Sequence, residues 1–312
     1  MNNEFILFDR IQKIKSIIEQ HKEENCYISY SGGKDSNVLD KLFDLALPDN
    51  KIPRVYCDTG IELNAVRDFV REKAEQDSRV IIIQPKVPIK KMLETVGYPF
   101  KSKAFAQYVN DFQKLNTKVE NLPENSFYRT YAEGRRVVAT GDNAGKISFD
   151  NCPKILRYIF YEGCSFPISD KCCDELKKKP LTTWQKEHDR SITITGISRS
   201  EGGRRCQASC TVFRKGELRR FNPLVPVTKE WEDWFIQEYD IKLPIIYYPP
   251  YNFERSGCKG CPFAVDIQKN LDVLKKYFPA EYKQCELIWK PVYAEYRKLN
   301  YRLKEKNDQL EF

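Results

Sequence analysis

A short apolar strand, CYISYS at 26–31, runs into Gly32-Gly33 and from there into a helical pattern at 35–45. No other feature limits the folding of the chain so tightly. Val38, Leu39, Leu42, Phe43 and Leu45 recur at helical steps, so an amphipathic helix follows the glycines. RVYC at 54–57 and RVIIIQP at 79–85 are further strand-like runs, with a helical stretch at 62–75 between them. Strands of this kind, alternating with helices, build a parallel sheet covered on both faces. SITITGIS at 191–198 reads as a later strand of the same sheet. The expected fold is α/β: a doubly wound, mainly parallel sheet with flanking helices and a helical C-terminal extension.

The glycine segment carries chemistry as well as geometry. Gly32 and Gly33 lack a Cβ, so the backbone can turn sharply and approach a ligand closely. The N–H groups of Gly33, Lys34 and Asp35 then form a nest at a helix N-terminus, which suits phosphate. Ser31 and Ser36 offer hydroxyl donors and Lys34 a point charge, while Asp35 could hold Mg²⁺ or cap the helix. A plain strand-to-helix turn is the alternative. The kinase and GTPase pattern G-x-x-x-x-G-K-[ST] is absent. Asp58-Thr59-Gly60 follows the second strand, at the carboxyl edge where such sheets take ligands, or else simply ends the strand. After the later strand come Gly196, Arg199, Arg204 and Arg205, whose guanidinium forks suit phosphate or sulfate oxygens; a solvated basic loop is the bland reading.

Eleven cysteines need a reason, because the chain reads as intracellular. Its opening residues break apolar positions with charges, unlike a signal or transit peptide. No apolar run approaches the roughly 20 residues of a membrane span, so the expectation is a cytoplasmic protein with no membrane partner. An odd count in a long chain argues against a disulfide scaffold. Cys172-Cys173 is an adjacent pair, and Cys258-Lys-Gly-Cys261 is a CxxC, with 84 residues between the pairs. A CxxC lets two sulfurs converge on one metal or cluster. An iron–sulfur cluster, zinc and buried free thiols all remain open on this spacing. Cys26 and Cys57 lie on apolar strands and read as core; Cys152, Cys164, Cys206 and Cys210 are alternative ligands or core filling. His21 and His188 are the two histidines and read as surface residues.

The rest of the chain is organised more softly. Residues 4–22 read as an amphipathic helix, KEWEDWFIQEYD (229–240) as another, and 279–307 as one charged helix. A boundary near 225 separates 1–225, an α/β part with a cysteine-bearing insertion, from 226–312, a CxxC and helical region packed on it. The charge of +8, with Arg-, Lys- and Tyr-rich segments at 127–136 and 213–220, fits a nucleic-acid partner, and a small anionic substrate fits too.

These motifs resemble a known family. SGGKDS is similar to the pyrophosphate loop of the adenine-nucleotide α-hydrolase superfamily. The arginine loop and the CC…CxxC pattern resemble the phosphoadenosine phosphosulfate (PAPS) reductase family, in its [4Fe–4S] branch. The resemblance implies nucleotide binding by Ser31, Gly32, Gly33, Lys34, Asp35, Ser36, Asp58, Thr59, Gly60, Gly196, Arg199 and Arg204. It implies catalytic roles for Lys34 and Asp35, and a [4Fe–4S] cluster on Cys172, Cys173, Cys258 and Cys261. Two departures steer the reading within the family. The reductases end in a cysteine-bearing tail, whereas YRLKEKNDQLEF has none, and Cys285 lies in a helix-like context. Reductases also carry a degenerate loop, whereas SGGKDS is complete. Both departures resemble the ATP-using relatives, such as the DNA phosphorothioation sulfurtransferase and the cluster-bearing tRNA thiolases. The implied activity is Mg-ATP-dependent sulfur transfer releasing AMP and pyrophosphate, with sulfur from a donor such as a cysteine desulfurase. A sulfite-producing sulfonucleotide reductase and a nucleotide- and redox-sensing binding module are the alternatives.

Overall fold

A computed structural model describes residues 3–199 and 203–304, with 203 and 204 in their backbone only. The chain opens with α1 (Asn3–His21), β1 (Cys26–Tyr30), α2 (Lys34–Ala46), β2 (Arg54–Cys57), α3 (Asn64–Gln76) and β3 (Val80–Ile83). Then come α4 (Ile89–Val96), α5 (Lys103–Gln113), α6 (Phe127–Glu133) and α7 (Tyr158–Tyr161). α8 (Lys179–Glu187), β4 (Ile192–Ile194), β5 (Thr211–Arg214), β6 (Glu217–Phe221) and α9 (Lys229–Glu238) follow, before α10 (Ile267–Tyr277), α11 (Pro279–Ile288) and α12 (Lys290–Lys298). Two compact units interleave along this order: Met1–Val87 with Glu175–Cys258, and Pro88–Asp174 with Lys259–Phe312. Among the described residues no helix is long and apolar enough to cross a membrane.

The first unit holds the sheet, in the order β3-β2-β1-β4-β6-β5. Every pairing is parallel except β5 with β6. The doubly wound parallel sheet expected from the strand–helix alternation is therefore the fold found. β1 pairs on one side with β2 (Tyr30↔Tyr56) and on the other with β4 (Ile28↔Ile194). The direction of winding reverses between β1 and β4, which makes their carboxyl ends the topological switch point. One face of the sheet is sealed by α1, α2 and α9, through Ile14, Ile28, Leu39, Phe43, Ile194, Phe221, Trp231 and Phe235.

Several elements differ from the sequence expectation. The hairpin β5–β6 reads poorly from hydropathy because the exposed charges Arg214, Glu217, Arg219 and Arg220 interrupt its few apolar residues. Its turn, Lys215-Gly216, has φ of 52° and 81°, the left-handed pair that joins two strands tightly. β3 and β4 are shorter than 79–85 and 191–198, since Pro85 and Gly196 follow closely. The charged helix expected over 279–307 is two helices meeting at Trp289, and the second stops at Lys298. Pro291 lacks the N–H that would continue the first helix through the junction.

Arg54 is the unexpected residue of β2. Its side chain is fully buried. Nε donates to Asp40 Oδ1 at 2.6 Å, Nη2 to Asp44 Oδ1 at 2.8 Å and Nη1 to Asn50 Oδ1 at 2.6 Å. Lys73 of α3 reaches Asp40 at 2.7 Å, and Arg79 reaches Asp44 at 2.8 Å. One guanidinium thus ties β2 to α2, and lysine and arginine from neighbouring segments balance the remaining carboxylate charge. Arg54→Met should leave Asp40 buried without its closest partner and cost roughly 3–5 kcal/mol of stability. Urea denaturation of the two proteins checks this; a loss below about 1 kcal/mol would show that the ion pair is not what holds β2 to α2.

The second unit is helical. Its centre is aromatic: Phe100 packs against Phe105 and Tyr296, and Phe105 against Tyr131 and Phe160.

Candidate functional site

β1 ends at Tyr30, and the chain turns at once. Gly32 has φ of +69°, and a Cβ there would stand 2.5 Å from Val70 Cγ2 and 3.0 Å from Val66 Cγ1. Only glycine meets both demands. Gly33 then caps α2 in extended backbone. The turn is braced from inside. Ser31 Oγ accepts the Gly33 N–H at 3.3 Å and donates to Ser36 Oγ at 3.1 Å, and Ser36 Oγ donates to the Gly33 carbonyl at 2.8 Å. Asn37 Nδ2 donates to the carbonyls of Gly32 and Gly33, both at 3.0 Å, while its Oδ1 accepts from Tyr30 Oη. The two serines, expected as donors to a ligand, here hold the shape of the turn.

The sheet brings the other motifs to the same edge. Thr195-Gly196 follows β4, and a Cβ on Gly196 would lie 2.9 Å from the Asp35 carbonyl, so this strand end packs on the first turn of α2. Asp58-Thr59-Gly60 follows β2 and closes on itself. Asp58 Oδ1 accepts the Gly60 N–H at 3.0 Å, and Glu62 accepts both the Thr59 N–H at 3.0 Å and its hydroxyl at 2.8 Å. Arg71 pairs with Asp58 at 3.1 Å and Lys177 with Glu62 at 3.0 Å. Glu62 also forms an antiparallel bridge with Cys258. Arg199 is exposed and donates to the Ala208 carbonyl at 3.0 Å. The side chain of Arg204, expected at the nucleotide, lies outside the described residues, as do Ser200, Glu201 and Gly202.

Charge at the turn is denser than the motif alone suggests. Lys34 Nζ pairs with Asp233 of α9 at 3.1 Å. Burial pushes the Asp35 carboxyl above its ordinary range, while Lys34, Arg205 and Arg255 pull the other way. Glu232, beside Asp233, is 3% exposed, and its Oε1 has no hydrogen-bond partner. Burial first, and the nearby Asp35 second, push it up to about 8, against the pull of Lys34. Sequence reasoning missed Glu232, Asp233, Arg255, Tyr247 and Ser256. Helix 229–240 was legible, but its approach to the glycine turn was not.

The raised Glu232 value has a signed consequence. The folded protein holds this proton more tightly than the unfolded chain, so the contribution is full below 4.5 and drains as pH rises to about 8. The Glu232→Gln variant should show a flatter stability profile across that window. It should exceed wild type by roughly 1–3 kcal/mol at its upper end. Thermal or urea melts at stepped pH check this, and parallel profiles for the two proteins would contradict it.

The four cysteines expected to hold a cluster divide between the units: Cys258 in the first, and Cys172, Cys173 and Cys261 in the second. None is in a disulfide. Among the described residues no group of three or more His, Cys, Asp or Glu side chains stands ready for a metal. The chemistry of the donor set, four thiols with a CxxC bend, nonetheless suits an iron–sulfur cluster. The bend is well made. Gly260 has φ of +60°, and a Cβ there would sit 2.3 Å from Tyr293 Oη and 2.9 Å from Cys285 Sγ. Trp289 Nε1 donates to the Lys259 carbonyl at 3.0 Å, and Lys259 Nζ donates to Gln284 Oε1 at 2.7 Å. Cys285 itself is fully buried, and burial pushes its thiol up to about 12. Cys26 and Cys57 are buried, as expected for core residues, with thiols also pushed up to about 12.

A mainly parallel sheet with a glycine turn at its switch point defines a doubly wound α/β fold. Residues 25–144 match the family model of the phosphoadenosine phosphosulfate reductase domain. The resemblance of the chain to that family is thus carried by the segment from β1 to just beyond α6. The adenosine 5′-phosphosulfate reductase of Deinococcus radiodurans is 31% identical over 96 residues, which are 31% of this chain and 36% of that protein. The chain therefore aligns with about a third of the length of this curated relative. Among solved structures, a phosphoadenylyl-sulfate reductase from Candida auris is 12% identical with a TM-score of 0.38, over 76% of this chain and 88% of that one. An NH3-dependent NAD synthetase from Campylobacter jejuni is 12% identical with a TM-score of 0.38, over 96% of each chain. The U34-tRNA thiolase NcsA from Methanococcus maripaludis, with its [4Fe-4S] cluster, is 14% identical with a TM-score of 0.36, over 96% of this chain and 80% of that one.

Proposed function

We propose that the chain is an ATP-using sulfur-transfer enzyme that releases AMP and pyrophosphate. The observation that carries this reading is the complete SGGKDS turn, set at the switch point with its N–H groups at the start of a 13-residue helix. An acceptor oxygen attacks the α-phosphorus of ATP, the bond to pyrophosphate breaks, and a sulfur nucleophile later displaces AMP from the activated carbon. In this scheme the turn amides and Lys34 receive the charge that grows on the departing pyrophosphate. Lys34 exchanges Asp233 for phosphate oxygen. Asp35 is the residue that would hold the Mg²⁺ accompanying ATP, which would offset charge on the phosphate oxygens. The edge at Asp58-Thr59-Gly60 and Gly196, with Arg199 and Arg204, is assigned to the rest of the nucleotide.

Cys172, Cys173, Cys258 and Cys261 are assigned to a [4Fe–4S] cluster, which would, when bound, relay sulfur rather than carry electrons over long range. The acceptor is a nucleic acid or a small molecule; the net charge of +8 suits the former. A sulfur-donor protein such as a cysteine desulfurase is the implied partner, in the cytoplasm.

A sulfonucleotide reductase is the second reading, favoured by the match of residues 25–144 and by the Deinococcus relative. It needs an attacking thiolate. Cys285 is buried with a raised thiol value, the opposite of a reactive cysteine. The two readings part in one assay. Anaerobically purified protein is given Mg-ATP with candidate acceptors and a sulfide source, and separately adenylyl sulfate, or its 3′-phosphorylated form, with thioredoxin or glutathione. Acceptor-dependent AMP and pyrophosphate are expected, reduced roughly a hundredfold in Lys34→Ala. Robust sulfite release without AMP formation from ATP would restore the reductase.

The cluster assignment has its own check. The anaerobic protein should be brown and carry about four iron and four sulfide per chain. Cys258→Ser or Cys173→Ser should lose most of it. Stoichiometric zinc in a colourless sample would overturn the assignment.

A further inference from the structure

Tyr247 ends the short 3₁₀ turn Ile245–Tyr247, more than two hundred residues from the glycine turn in sequence, yet its phenol oxygen lies on that turn. Tyr247 Oη accepts the N–H of Lys34 at 3.2 Å and the N–H of Ser256 at 3.0 Å. The Ser256 hydroxyl hydrogen-bonds to the same oxygen. Tyr247 Oη lies 3.2 Å from where a Cβ on Gly33 would stand, inside the space that the missing side chain leaves open, and Ser256 Oγ lies closer still. A phenol oxygen has two lone pairs and an O–H of its own to place. Two main-chain N–H groups and a hydroxyl converging on one oxygen, one of them at the head of a helix, are the surroundings of a phosphate oxygen. The neighbouring charge is handled the same way, since Lys34 Nζ rests on the half-exposed Asp233 carboxylate. In this structure the turn has both its amide and its ammonium filled by groups of its own chain.

We propose that Tyr247 is a built-in occupant of the nucleotide turn: its phenol oxygen holds the place of a phosphate oxygen, and pyrophosphate or the nucleotide binds by displacing it from the N–H groups of Lys34 and Ser256. The proposal rests on the nucleotide reading of SGGKDS and adds a competitor to it. Displacement frees the segment 244–256, which runs directly into Cys258.

The sign of the effect separates an occupant from a ligand contact. Tyr247→Phe keeps the ring and removes only the competing oxygen. Calorimetric titration of the full chain with inorganic pyrophosphate and with ATP should show the variant binding each roughly five-fold tighter than wild type. Affinity that is equal or weaker in Tyr247→Phe overturns the proposal and leaves the nucleotide reading standing. Absence of binding in both proteins overturns the nucleotide reading and the proposal with it. A second measurement needs no variant. On adding pyrophosphate to wild type, amide hydrogen exchange in 244–256 should speed up while that of 33–36 slows. Slower or unchanged exchange in 244–256 means that Tyr247 stays in place, which overturns displacement.

Discussion

The Arg54 guanidinium, buried beneath α2, is the fixture on which the site depends. Gly33 gives α2 no side-chain cap, and the bonds of Ser31, Ser36 and Asn37 shape the turn without fixing the helix against the sheet. The position of α2 must therefore be set from further along. Asp40 and Asp44, on successive turns, supply the carboxylates, and Arg54 at the start of the neighbouring strand supplies the fork that engages both, with Asn50 as a third acceptor. Burying such a group is costly unless all its donors are used. Here that demand is what makes the arrangement specific, since any sliding or rotation of α2 breaks several charge-assisted bonds at once. Everything at the carboxyl edge inherits this rigidity, because Gly196 packs against the first turn of the same helix.

The site combines this fixed backbone with polar groups that compete for one another. Ser31, Ser36 and Asn37 consume the hydrogen-bonding capacity of the turn to keep its shape. Lys34 is paired, Tyr247 lies on an amide, and two carboxyls, Asp35 and Glu232, share a poorly hydrated space with the orphaned Glu232 Oε1. An arrangement with buried carboxyls beside the amides of a helix N-terminus is not the most stable one available, and it supports the proposed role of this edge in binding a charged ligand.

The contiguous parts of this design were legible in the sequence. SGGKDS, Asp58-Thr59-Gly60 and Thr195-Gly196 each follow an apolar strand, and a parallel sheet puts all strand ends of one direction on one edge. The residues supplied at long range were not. Glu232, Asp233, Tyr247 and Ser256 sit in segments whose local pattern specifies only a helix or a Pro- and Tyr-rich loop. Arg54 was hidden in a run that reads as an ordinary strand, because hydropathy registers a charge but not the two carboxylates and two neutral acceptors that surround it. The β5–β6 hairpin escaped since its exposed charges, Arg214, Glu217, Arg219 and Arg220, leave no regular apolar stripe. The junction at Trp289 was missed although Pro291 marked it, because the tyrosines on either side keep helical spacing across the break.

The order in which the sheet is wound also sets when the site comes into being. β1, β2 and β3 are close together in sequence and can pair as soon as they are made, whereas β4 joins β1 only after the intervening second-unit segment has been synthesised. Long-range parallel pairings of this kind form slowly, because the entropy of closing the chain is lost before the contacts form. Until Ile192–Ile194 docks, the glycine turn lies on an open sheet edge with no switch point beside it. A nascent chain would thus present a folded half-sheet without the crevice proposed for the nucleotide, which would form late and abruptly, with the strand that completes it.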